Sequence, residues 1–578
     1  MKSKIKKIFS IPFLTIGIVG LSFQCKYGSN EDNIITIKNT TVKNEFNEKD
    51  IFINKIKSGV NRVEFMIDSN NFDFDHFNKY IKQKLSYDIP SFYGENTRIL
   101  SIGILRTDNS RNIINTVKEY SKLNNIKINK IYNFDLPYSY EDIKVQNNFQ
   151  NIFKKTERFD GNYYDTYGNY RNNDKQYEKV GLDKKILEEH WKKHNSTSVT
   201  VGILDPNVLD PDYPGFKWNI ENGKKIEWRN HWLYSETFAS HPNHIGEIIV
   251  GNEFGINRTS NLISVELSTW NGLSGEFDFL LSHTKIINNS WGEFYGSKYY
   301  NYNWISDYFD WIVQKNPEVI NLISAGNDRD DKIPTKEIES GKLSKNSIIV
   351  GALNKSMNDV SSYSQFGNDL NYISVVAPGE FVFTDTKKGN YYNSELGTSY
   401  STPVITAIAS MLIQEYENIF KKGSDSIIFK SALIAGSTRI DTNHKLISNE
   451  YGAGIPNYKN IKKAIENMTV IKFSSIDINK GVEVNLKKGD KVRVVASYLL
   501  KHSKNDKTNI DLHVKRNIQE SYSYYDNLLI DSSTSNNKNV EVIEFTAEKN
   551  GKHVFYLSNG NKQDDFNEVE VALTYVIN

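Results

Sequence analysis

Short, nearly unbroken apolar runs, each closing on small or polar residues, fill the middle of the chain. Val199–Leu204, Val319–Ile323, Ile348–Ala352 and Val375–Ala377 are rich in β-branched residues and too short for helices. That pattern predicts buried strands. Between them lie helical patterns. A short apolar helix follows Ser240, and Val404, Ile405, Ile408, Met411 and Leu412 fall on one helical face. Strands alternating with helices predict an α/β fold over residues 177–467, a doubly wound, mainly parallel sheet.

The period then changes to two. Val482–Leu486, Lys491–Ala496, Ile510–Val514, Val540–Phe545, His553–Leu557 and Val569–Tyr575 read as strands separated by turns, which predicts a β-sandwich over 468–578. Upstream, Arg62–Ile67, Arg98–Leu105 and Ile126–Phe134 read as strands, and His76–Leu85 and Ile113–Leu123 as helices. They define a small α/β unit over 51–140. Residues 26–50 and 141–176 are polar and aperiodic, a tether and a linker.

Composition narrows the partners. Among 578 residues, 71 are basic and 70 acidic, a net charge of +1, with no basic block beyond the N-terminus. That argues against nucleic acid as a partner. A mean hydropathy of −0.54 fits a soluble body, and a monomer is expected. The single cysteine, Cys25, closes a basic start (Lys2, Lys4, Lys6, Lys7) and an apolar stretch from Ile8 to Phe23. The stretch is short for a membrane span and suits an export signal over residues 1–25. The pattern resembles a bacterial lipoprotein signal, in which Cys25 would become the lipid anchor. The expectation is an exported protein, lipid-anchored to the outer face of the cell membrane or secreted.

Candidate chemistry sits at the ends of the apolar runs. Asp205 closes one strand, where parallel sheets gather their functional groups, and Pro206-Asn207 breaks it. His241 and His244 open the helix after Ser240. One is a plausible base and the other a packed core residue. A zinc pair is the rival reading, but H-x-x-H lacks the i, i+4 spacing and the glutamate of a zinc helix. Asn327 follows another strand, where a side-chain amide can donate to an oxyanion; losing such a donor costs about 3 kcal/mol. Ser399 stands at a helix start after Gly397-Thr398, with Pro403 expected in the first turn. A serine at a helix N-terminus meets free N–H groups and the positive dipole end.

The ordered set Asp205, His241, Asn327, Ser399 resembles the subtilisin-like serine proteases, or subtilases. Gly397-Thr398-Ser399-Tyr400-Ser401-Thr402-Pro403 is similar to the family's serine signature, and Ser240-His241 with His244-Ile245 to its histidine signature. Val199–Asp205 resembles the aspartate strand and Ser324–Asn327 the oxyanion segment. Ile286–Gly292, Ile348–Ala352, Val375–Gly379 and Tyr451–Asn457 agree with further landmarks.

The resemblance implies a serine endopeptidase acting on proteins or peptides. Ser399 would be the nucleophile, His241 the base, Asp205 its orienting carboxylate and Asn327 the oxyanion donor. Ser290, Trp291 and Gly292 would wall the substrate pocket. No cofactor is required; calcium is common in the family and stays unassigned here. Residues 51–140 stand where the family carries an inhibitory propeptide, and the whole resembles a surface lipoprotein protease of an A/T-rich, mycoplasma-like bacterium.

The departures are Pro206-Asn207, Pro242-Asn243, Glu247 and Trp291. A proline after the base could tilt its ring, and a glutamate near it could raise its pKa. They motivate two other readings: a degenerate subtilase serving as a surface binding protein or adhesin, and an esterase using the same residues.

Overall fold

The computed structural model describes residues 61–578 except 87–88, 105–109, 134–172, 230–239, 253–254, 268–272, 293–301, 303, 328, 330–337, 339, 368–371, 385–391, 422, 441–445, 501–507, 518–526, 536–537 and 561–565. Cys25 and the expected signal and tether lie outside the described residues, as do 51–60 and 134–140 of the small α/β unit and 141–172 of the linker.

Four strands and two helices form the first unit. Strands β1 (Asn61–Ile67), β2 (Ser91–Gly94), β3 (Ile99–Ile104) and β4 (Ile128–Asn133) make an antiparallel sheet in the order β2-β3-β1-β4. Helices α1 (Phe74–Leu85) and α2 (Ser110–Leu123) accompany it. Asp73 caps α1 by accepting from the His76 N–H, and Ser86 ends it in the left-handed conformation. The short β2 carries no alternation and escapes sequence reading.

The central unit is a seven-stranded, wholly parallel sheet. Its strands are β5 (Thr200–Asp205), β6 (Ile226–Arg229), β7 (Asn261–Glu266), β8 (Ile286–Asn289), β9 (Ile320–Ser324), β10 (Ile348–Leu353) and β11 (Val375–Pro378). The order is β11-β10-β9-β8-β5-β7-β6, which is the doubly wound α/β class. Both faces are covered, so successive strand residues enter different cores. Ile203, Leu322 and Val350 join one core with helices α4 (Ser240–Val250) and α7 (Thr398–Glu415), which follow α3 (Lys184–His194) in the chain. Leu204, Ile323 and Ile349 join the other with α5 (Leu273–His283) and α6 (Trp304–Lys315). A hairpin of β12 (Glu380–Thr384) and β13 (Tyr392–Leu396) leads into α7, and a two-residue pairing of β14 (Ser437–Thr438) with β15 (Ile455–Pro456) lies between α8 (Asp425–Ala435) and α9 (Tyr458–Glu466).

The expected boundary at residue 177 falls inside a helix, Asp174–Lys179. Its lead-in is already tied to the central unit: the Asn173 amide donates to Val382 O at 2.9 Å and accepts from Val382 N at 2.9 Å.

Two antiparallel four-stranded sheets form the last unit, consistent with a sandwich. One orders β16 (Thr469–Phe473), β23 (Val569–Ile577), β18 (Lys491–Tyr498) and β21 (Val540–Thr546); the other orders β17 (Gly481–Leu486), β22 (Gly551–Asn559), β19 (Ile510–Asn517) and β20 (Asn527–Ser533). The first sheet is covered on both faces, because α8 and α9 pack against it. Hence β18 is buried from Val492 to Tyr498, whereas β17 alternates. Strand β20 is exposed along Leu528–Ile530, and with no alternation to betray it, sequence periodicity misses it.

Candidate active site

Four elements deliver the candidate residues to one end of the parallel sheet. Asp205 is the last residue of β5 and wholly buried. Pro206 ends the strand, and the Asn207 N–H turns back to Asp205 Oδ1 at 3.4 Å. A backbone donor thus stands against that carboxylate oxygen. His241 is the second residue of α4, and its Nδ1 meets Asp205 Oδ2 at 2.8 Å. A carboxylate there accepts the Nδ1 proton and leaves Nε2 as the basic nitrogen.

Pro242 occupies the third helical position, where an N–H has no helical partner, so it costs α4 nothing and the ring still reaches Asp205. Asn243 takes a tethering role, accepting the Asp210 N–H at 2.6 Å. Burial alone would push the His241 pKa down; the Asp205 carboxylate, with Glu395 behind it, outweighs burial and raises it above 6.5. Glu247, the expected perturber, is turned away and accepts from the Tyr213 hydroxyl at 2.6 Å.

Ser399 is the second residue of α7 and half-buried. The proline lies deeper than the sequence suggested: Pro403 is the sixth residue of the helix, inside it. Its missing N–H therefore leaves the Ser399 carbonyl without an i→i−4 donor. Ser290 fills the gap. Its Oγ donates to Ser399 O at 2.9 Å, while Ser399 Oγ donates to Ser290 O at 3.2 Å. Asn288 Nδ2 holds Ser290 Oγ at 2.9 Å, and Thr406 Oγ1 on α7 holds Asn288 Oδ1 at 2.9 Å. The turn that carries Ser399 is thus braced to β8.

Asn327 is exposed, and its amide is oriented from one side. Oδ1 accepts from Thr398 N at 2.9 Å and Thr398 Oγ1 at 2.8 Å. The N–H₂ end faces Gly397, where a Cβ would stand 3.2 Å from Nδ2 and crowd the donor. Gly326 holds φ +111°, and a Cβ there would strike Gln365 Oε1 at 1.8 Å. Only glycine suits this turn.

Of the expected pocket wall, Ser290 backs Ser399, as above. Trp291 is packed into the core beside Phe309, with ring centroids 6.0 Å apart, and donates to Asn289 Oδ1 at 3.3 Å. Gly292 is partly exposed and adjoins 293–301, outside the described residues.

Sequence reading missed Glu395. It carries no motif and reaches the site only because the β12–β13 hairpin folds back over α4. Its carboxylate meets His244 Nδ1 at 3.0 Å and accepts from the Tyr400 hydroxyl. His244, expected as a packed core residue, is buried but paired. Among the described residues no group of three or more His, Cys, Asp or Glu is placed to hold a metal ion.

Residues 196–454 match the model of the subtilase family, and this stretch contains Asp205, His241, Asn327 and Ser399. Similar solved structures are proteases. The patellamide maturation protease PatA is 19% identical, with 46% of this chain and 97% of that one covered at a TM-score of 0.38. The prenylagaramide maturation protease PagA is 18% identical (48% and 96% covered, TM-score 0.38). A serine protease of Aeromonas sobria is 13% identical (70% and 94% covered, TM-score 0.39). No curated protein sequence matches the chain. The match to the subtilase family supports serine protease function.

Proposed function

We propose that the chain is a serine endopeptidase using Asp205, His241 and Ser399, with Asn327 as oxyanion donor. The observation that carries this is the His241–Asp205 contact of 2.8 Å, made at the sheet end where α7 presents Ser399. In this reading Ser399 Oγ leaves the Ser290 carbonyl, passes its proton to His241 Nε2 and attacks the scissile carbonyl carbon. Asp205 stabilises the imidazolium. The oxyanion accepts from Asn327 Nδ2 and the Ser399 backbone N–H. His241 returns the proton to the leaving amine, and water then releases the acyl group from Ser399.

In the same reading the protein is exported and anchored through Cys25, and it cleaves proteins or peptides outside the membrane. The 51–140 unit, which meets α5 and α6, acts as an inhibitory propeptide, released by cleavage within the 141–176 linker.

A fluorophosphonate probe on the full chain and on Ser399→Ala tests the assignment. Labelling is expected in the wild type, at once or after limited cleavage in 141–172, and is lost in the variant. Peptide hydrolysis should fall about a millionfold with it. A wild type that labels in neither form overturns the protease and leaves the binding protein. Cleavage of small esters without peptides favours the esterase.

A further inference from the structure

Glu395 stands outside the four residues of the proposed mechanism, yet its carboxylate is where the two helices of the site meet. The hairpin pairs Phe381 with Glu395 and so brings that strand over the start of α7. Glu395 Oε2 lies 3.0 Å from His244 Nδ1, and the same oxygen accepts from the Tyr400 hydroxyl. His244 is one turn beyond His241 on α4, and Tyr400 directly follows Ser399 on α7. Phe383 stacks on the His244 ring at 4.2 Å and 10°, which fixes the ring plane and so the direction of Nδ1. The Tyr400 ring stands 5.8 Å from the His241 ring and 6.4 Å from that of His244.

We propose that Glu395 is a positioning residue for the same reaction. Through His244 and Tyr400 it clasps the base's helix to the nucleophile's helix, and its charge joins that of Asp205 in favouring the His241 imidazolium. The proposal rests on the protease reading above. A buried carboxylate persists as an anion only where partners repay its desolvation. Here burial is outweighed by His244 and Tyr400, which bring the Glu395 pKa down to about 2. The charge is therefore present throughout the working range of an imidazole. Around His241 the titratable groups among the described residues are Asp205 on β5, Glu395 on β13, Tyr400 on α7, and His244 and Glu247 on its own helix. Glu247 is engaged by Tyr213.

The test is the pH dependence of fluorophosphonate inactivation, which needs no known substrate. It compares the full chain, processed within 141–172 if labelling requires it, with Glu395→Gln and Tyr400→Phe. Glutamine keeps the shape and loses the charge. The acid limb of the profile should move down by about half to one pH unit, since the imidazolium loses a neighbouring anion. Tyr400→Phe leaves the charge and loosens the clasp, so its plateau rate should drop several-fold with the limb unmoved. A Glu395→Gln profile superimposable on wild type overturns the proposal. If that variant fails to fold, an unchanged plateau in Tyr400→Phe overturns it instead. A wild type that never labels refutes the protease reading itself, a separate failure.

Discussion

The two appended units meet the central α/β unit through surfaces of different character. The amino-terminal unit has its own core, built on Phe65, Phe77, Leu100, Ile102 and Tyr120. It touches α5 and α6 through polar groups and through two buried apolar residues, Met66 and Ile99, which join the core of those helices. Asp278 accepts the Asn96 and Thr97 N–H groups at 2.7 and 3.1 Å, Trp311 Nε1 donates to Thr97 O at 2.9 Å, and Lys130 meets Asp307 at 2.7 Å. Lys315 pairs with Asp68. The carboxyl-terminal sandwich, by contrast, sends Val495, Val540, Val542, Ala572 and Val576 into the same core as α7, α8 and the parallel sheet. Apolar continuity of that kind makes one cooperative body. A smaller contact, part polar and part apolar, beside a unit that keeps a core of its own makes a more separable one.

Deletion should break this comparison most sharply. Removing 468–578 uncovers the apolar faces of α8 and α9, and the remaining chain should fail to fold. Removing 1–172 should leave the far-ultraviolet dichroism of the remainder and its thermal transition nearly intact. A soluble, cooperatively melting chain without the sandwich would refute the single-body view.

A smaller effect is expected at one residue. Asp278→Ala strands two backbone donors at the interface, a cost of about 1–3 kcal/mol to docking. After cleavage in 141–172, the amino-terminal unit should dissociate about tenfold faster or more, while the melting of the rest stays put. Stopped-flow dissociation reads the first and calorimetry the second.

The smallest effect is acid loosening. Burial pushes the Asp68 pKa up, but Lys127 and Lys315 outweigh it, and the net value lies below 3.8. A lowered carboxyl pKa means the unfolded or undocked chain binds the proton more readily. The stabilisation is complete well above pH 3.8 and fades as pH falls through the lowered value. Dissociation rates should therefore rise only at the acid end, and Lys315→Met should flatten the rise.

How legible this was in the sequence depended on what each residue answers to. Asp205 and Asn327 stand at the ends of apolar runs, so local pattern alone located them. Pro403 was placed a turn too early, because the helix start at Thr398 is set by the Asn327 side chain, more than seventy residues upstream. Glu395 was missed because its importance exists only after the hairpin closes. A charged residue four places before a nucleophilic serine was the available signal. Strand β20 was missed for lack of alternation, and β18, read as an alternating strand, is buried on both faces because α8 covers its outer one.

The strand order of the sandwich also sets a timetable. β16, made just after α9, pairs with β23, made about a hundred residues later, and β23 lies between β16 and β18 in the sheet that covers α8 and α9. Asp205, His241 and Ser399 have all left the ribosome well before that strand exists. Until residue 577 emerges, the growing chain carries the parts of a site on an uncapped core. The order of synthesis thus leaves the sheet that covers α8 and α9 incomplete until β23 is made.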